Sequence, residues 1–278
     1  MKAAHVAFAC AASLVIAQGS AAAEPGGPAL PALVLGVDGG VMHRTLAWND
    51  DLFGMLRPYS LAAAPILGGE IEVYPGAFVT RARPAWLGLV ARGEGIVGVS
   101  TQRVGHTDAL PTHAWAFTAS VRGRLPFSRG AAWLDAGAAG RAFTIAAAGI
   151  TTPDFPSVSY LGPRLAVGGE VLLPAGFVLS AGAGAARWVG TGDLGSAAWF
   201  PHVQAWGADL HLRLAWQASF GLGPYLDLAW SRDLAALRPQ PGEANVAGGL
   251  ADDRLAARLG LSWTFRRAPN RDASPSGD

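Results

Sequence analysis

"WGADLHLRLAW", Trp206 to Trp216, decides the fold. One parity of this run reads Trp206, Ala208, Leu210, Leu212, Leu214 and Trp216, while the other carries Asp209, His211 and Arg213. Alternation with a period of two marks a strand with one apolar and one polar face. The two tryptophans stand ten residues apart on the apolar face. At about 3.3 Å per residue and a tilt near 40°, they are roughly 25 Å apart along a barrel axis, the height of a membrane-spanning apolar band bounded by aromatics.

The same pattern extends outward along the chain. Phe220 and Trp230 repeat the ten-residue spacing, and Leu255, Ala257, Leu259, Leu261, Trp263 and Phe265 alternate with Arg254, Arg258, Ser262 and Thr264. Ten strands are expected, at 33–46, 60–74, 86–100, 112–125, 131–146, 158–173, 177–189, 202–216, 220–235 and 253–265. The breaks after the even-numbered strands are compact or marked by Pro and Gly, as in "LPFSRG", "LPAGF" and "WQASFG". Those after the odd-numbered strands are longer, as in "WNDDLFGMLRP" and "RPQPGEANVAGGLAD". "GGEIEVYPGAFV" at Gly68–Val79 and "GGEVLLPAGFV" at Gly168–Val178 are two copies of this grammar: a strand, a short turn and the start of the next strand.

Composition narrows the setting. The chain is 51% hydrophobic and only 15% charged, well below the roughly 25% charge of ordinary globular domains. Past the N-terminus no apolar run is long enough for a helical span, and 37 glycines argue against helix. A closed sheet is then the way to place every backbone group in lipid with a partner. Residues 1–23 read as a secretory signal: Lys2 and His5, the apolar run Val6–Ala17, then Ala21-Ala22-Ala23 before a cut ahead of Glu24. Cleavage there removes Cys10, the chain's one cysteine, so no disulfide is available. Residues 24–32 form a lead-in, 33–265 the barrel, and 266–278, rich in Pro, Ser and charge, a disordered tail. The mature arginines balance the acids, so nothing points to nucleic acid.

On these features the chain resembles the Gram-negative outer-membrane β-barrel proteins, and its "LGLSWTF" is similar to the closing strand read by the barrel-insertion machinery. The resemblance implies an all-β, antiparallel up-and-down barrel of about ten strands, within a range of eight to twelve. It also implies residence in the outer membrane, with lipid and lipopolysaccharide as neighbours. In that family the closing aromatic is commonly terminal, whereas here thirteen residues follow Phe265. Oligomeric state is left open.

If the apolar parity faces lipid, the lumen collects Asp38, Glu70, Glu72, Arg92, Glu94, Arg122, Arg124, Glu170, Asp209, His211, Arg213, Asp227, Arg254 and Arg258, with Arg44, Asp135, Arg141 and Arg164 beside them. Trp206, Trp216, Phe220, Trp230, Trp263 and Phe265 would form the girdles. A balanced set of charges either pairs across the barrel as a plug or lines a narrow path for small solutes. The composition favours the structural or narrow-pore class over an enzyme. The competing class is an outer-surface hydrolase. Ten strands is also the count of the outer-membrane aspartate/histidine proteases, for which Asp50, Asp51, Asp252 and Asp253 in outer loops, with His106 and His113, are the candidate residues. A lipid hydrolase would draw on Ser100 and His113. His211 has no companions spaced to hold a metal, and Gly248-Gly249 precedes no helix, so neither metal nor cofactor is expected.

Overall fold

A computed structural model describes residues 31–79, 86–102, 109–146, 155–218 and 220–266. Ten long strands follow one another: β1 Pro31–Asn49, β2 Tyr59–Val73, β3 Leu87–Ile96, β4 Ala109–Phe127, β5 Gly130–Ile145, β6 Val158–Leu172, β7 Phe177–Trp188, β8 Gln204–Trp216, β9 Leu222–Ala236 and β10 Gly249–Arg266. Each pairs antiparallel with its neighbour in sequence, and β1 pairs with β10 to close the sheet. Closure removes the bare edges that an open sheet of this size would carry.

The stagger follows from the register. Stepping from Leu33 to Val73, Leu89, Val121, Ala136, Leu165, Ala185, Ala208, Arg232 and Asp253 leads back to β1 at Thr45, which is 45 − 33 = 12 residues further along. A shear of this size in ten strands corresponds to a tilt of about 40°. One irregularity interrupts the ladder. Met42 faces Ala64 while Arg44 faces Leu61, so one residue of β1 opposes two of β2. Ala63 takes φ 52° at this bulge, and the extra residue keeps Leu61 and Ala64 on the same, inward side.

Most outward residues are apolar, with the Arg232–Asp253 pair and His113 among the exceptions. On β8, Leu210, Leu212 and Leu214 are 51%, 45% and 40% exposed, whereas Ala205 and Ala215 on the other parity are buried. The short turns after β4, β6 and β8 share one end of the barrel with Pro31 and Arg266, the ends of β1 and β10. The connection after β2, residues 74–86, is the long one at this end; the other long connections gather at the opposite end, and there the chain folds inward. Leu194, Phe200, Leu237 and Ala247 from connections pack on Leu46, Val158, Tyr160, Trp188 and Leu250 from strands. This cap is a small hydrophobic core, with Tyr160 and Trp188 stacked at 5.5 Å.

Two expectations are corrected by the strands themselves. Asp252 and Asp253 are not in the last loop, because β10 begins at Gly249 and carries both. Asp252 points inward and Asp253 outward. Trp230 is not at a girdle: it sits opposite Leu210 and Leu255, near the middle of the outward band. Phe220 precedes β9 in the turn and is 71% exposed, so its spacing to Trp230 does not measure a strand's crossing. His106, residues 1–30 and residues 267–278 lie outside the described residues.

Candidate functional site

The enclosed side of the barrel is packed with ion pairs in three layers. Just beneath the cap, Arg44 Nε and Nη2 grip both oxygens of Asp252 at 2.7 Å, and neither side chain is exposed. Arg254 reaches Asp252 at 3.0 Å and Asp233 at 3.5 Å. Arg141 Nη1 donates to both oxygens of Asp233 at 2.9 and 3.0 Å, and Trp188 Nε1 donates to the same carboxylate at 3.0 Å. Asp233 and Asp252 are direct neighbours across β9 and β10. Two like charges in that position repel, so the three guanidiniums around them are what make the arrangement possible.

In the middle layer Asp227 collects three arginines: Arg92 at 2.9 Å, Arg213 at 3.0 Å and Arg258 at 3.3 Å. Arg92 also meets Asp38 at 3.1 Å, and Tyr225 Oη donates to Asp38 at 2.9 Å. Arg213 on β8 clasps Glu70 on β2 through both of its terminal nitrogens, and Arg258 on β10 reaches Glu94 on β3. These pairs join strands on opposite walls, so the lumen is crossed as well as lined. Buried charges persist only when paired in this way.

The third layer lies toward the short turns. Arg122 holds Asp135 at 2.7 and 2.9 Å and Glu72 at 2.7 Å, with its guanidinium 4.4 Å from the Trp133 ring. Arg124 pairs with Glu170. Tyr74, in the connection after β2, donates to Glu72 at 3.0 Å. Burial, and then the Glu72 carboxylate, push its phenol above the ordinary range. His211 stacks on Trp133 at 5.7 Å and 9°. Among the described residues no group of three His, Cys, Asp or Glu could hold a metal.

A cavity of about 640 Å³ occupies the lower lumen. Its lining runs from Arg129, Gly130, Gly176 and Gln217 at the short-turn end up to Arg141, Arg164 and Arg254. It stops short of Arg44, Asp233 and Asp252. Among the described residues the cavity thus ends at the underside of the upper ionic layer, with the hydrophobic cap above it.

The hydrolase candidates do not converge. The Asp51 carboxylate accepts the backbone N–H groups of Phe53 at 3.3 Å and Leu56 at 2.8 Å, which fixes a turn. Asp50 stands at φ 53° in the same turn. Asp252 is consumed by Arg44 and Arg254, and Asp253 pairs outward with Arg232 at 2.7 Å. His113 is exposed on the outward face of β4, opposite Thr144, and Ser100 begins the short strand Ser100–Gln102 that pairs with β4. Sequence reasoning missed Asp233. It shares parity with Asp227 on β9, and that six-residue spacing was the available signal.

No protein-family model matches the chain, and no curated protein matches it in sequence. Solved structures do. The outer-membrane protease OmpT from Escherichia coli matches with a TM-score of 0.52 and 12% identity, over 84% of this chain and 96% of that one. The chain has the fold of the Gram-negative outer-membrane β-barrel proteins. Neisserial surface protein A (TM-score 0.34, 9% identity, 84% and 97% coverage) and OprG from Pseudomonas aeruginosa (0.32, 10%, 86% and 99%) are further outer-membrane barrels among the matches. At those scores only the OmpT likeness bears on the fold, and at 12% identity it bears on nothing else. Within this outer-membrane barrel fold, Trp206 and Trp216 mark the two ends of the outward band on β8. Trp263 and Phe265, both outward on β10 and 40% exposed, join Trp216 at the short-turn end.

Proposed function

We infer that this is an integral outer-membrane protein with a structural role in the envelope, sealed against solute flow, its long connections outward and its short turns in the periplasm. The observation that carries this reading is the sealed upper lumen. Arg44, Asp233 and Asp252 are fully buried, Arg44 paired with Asp252 and Asp233 with Arg141 and Arg254, and Leu194, Phe200 and Leu237 close over them with no exposure. The outward leucines support the setting, since contiguous exposed apolar area of this extent calls for a solvent other than water. Lipid and lipopolysaccharide contact the outward band in this reading. "LGLSWTF" engages the insertion machinery, and the signal is cut after Ala23.

Planar-bilayer recording of the purified protein tests the sealed state. A silent membrane at all voltages is expected. Steady single-channel current from the unmodified protein would replace this reading with the narrow pore that the lumen charges otherwise allow.

A further inference from the structure

The lumen's ion pairs balance in the two upper layers, where, with the pair Arg164–Asp209 between β6 and β8 included, seven guanidiniums face seven carboxylates among the described residues. At the short-turn mouth the balance fails. Among the described residues four guanidiniums, Arg122, Arg124, Arg129 and Arg266, meet three carboxylates there, and Arg122 takes up two of these, Asp135 and Glu72. Arg124 spends one nitrogen on Glu170, and its Nε is buried with no acceptor. Arg266 Nη2 donates to the neutral amide of Gln217 at 2.6 Å. Arg129 is exposed and has no carboxylate within salt-bridge distance among the described residues. All three arginines line the same cavity.

A guanidinium presents a planar fork of donors that fits carboxylate and phosphate oxygens two at a time. The cavity's 640 Å³ falls in the size range of small-ligand sites, about 300–1,000 Å³. Its wall also offers the hydroxyls of Thr118, Ser120 and Ser180, which suit the neutral oxygens of a polar solute. We propose that the short-turn mouth of the lumen binds a small organic oxyanion, a solute bearing carboxylate or phosphate groups, between Arg124, Arg129 and Arg266. Its placement in the periplasm rests on the orientation proposed above. The binding itself does not.

The experiment is calorimetric titration of the full-length mature protein in a neutral detergent with citrate and with inorganic phosphate. Saturable one-site binding of at least one probe is expected. Arg129→Gln should weaken it roughly fivefold, the loss of one partly solvated charge contact. The paired change Arg124→Gln with Glu170→Gln, which leaves no unmatched carboxylate behind, should weaken it further. Arg57→Gln, in the connection at the other end, serves as the control and should change nothing. The same titrations are repeated in phosphatidylcholine and phosphatidylglycerol nanodiscs, to separate a solute site from a lipid headgroup site. Competition by phosphatidylglycerol alone, with no binding of citrate or phosphate in detergent, would overturn the proposal. So would binding indifferent to both the Arg129 change and the paired Arg124 and Glu170 change. Because detergent exposes both ends, a failure here leaves the sealed-barrel reading intact, and channel current would leave this proposal intact.

Discussion

Trp133 shows how single residues set this interior. Its indole lies flat against β6 and β7, in space that exists only because Gly168 and Gly182 face each other there. A Cβ on Gly182 would stand 2.5 Å from both Trp133 and the His211 ring. Gly182→Ala should therefore cost about 1–3 kcal/mol, the usual cost of overpacking a filled site. A urea titration in lipid vesicles would measure it, and an unchanged midpoint would mean that the indole is free to move. Asp252 gives the electrostatic counterpart. Asp252→Asn strands the unexposed Arg44 cation, and breaking a buried pair of this kind costs about 3–5 kcal/mol. The same titration checks it. At this scale the sequence was only half legible. The alternation of Asp209, His211 and Arg213 shows their facing at once. The Ala- and Gly-rich runs of β5 and β7 carry no such contrast, because the bulk that fills their grooves comes from aromatics on other strands.

At the scale of the strand, outward and inward parity divide the chemistry. Leu212→Arg should destabilise the barrel by about 2–4 kcal/mol, the depth-dependent cost of a cation near mid-bilayer. Urea unfolding in lipid checks this, and a change near zero would place Leu212 away from hydrocarbon. The ten strands and their up-and-down order were legible because period-two alternation and turn residues repeat along the chain. Two details were not. Asp252-Asp253 looks like a solvated loop pair, since adjacent acids break no local rule. Only the partners on β1 and β9 show that one faces Arg44 and the other Arg232. Trp230 likewise matched the spacing of a girdle by counting from Phe220, yet height in a barrel is fixed by cross-strand register, which one strand does not encode.

For the whole molecule the contrast is between a sealed end and an open one. The described residues hold no cysteine, so with the signal cut as proposed above single thiols report access cleanly. Ser180→Cys, on the cavity wall, should react rapidly with a water-soluble thiol reagent in detergent. Leu194→Cys, beneath the cap with no exposure, should be slower by about two orders of magnitude, the factor expected if labelling waits for a local opening of roughly 3 kcal/mol. Equal rates would show that the cap is loose. The cap could not be anticipated from alternation. Leu194, Phe200 and Leu237 lie in connections, where apolar residues obey no period, and their burial depends on several connections meeting above one mouth.

The seam between Pro31–Asn49 and Gly249–Arg266 joins the first strand to the last. A nascent or clipped chain ending anywhere before Gly249 would hold two unpaired edges and half-built charge layers, whatever its length. Completion is thus a structural checkpoint: the last strand must be made before the ring can shut, and a fragment differs from a finished product by its bare edges.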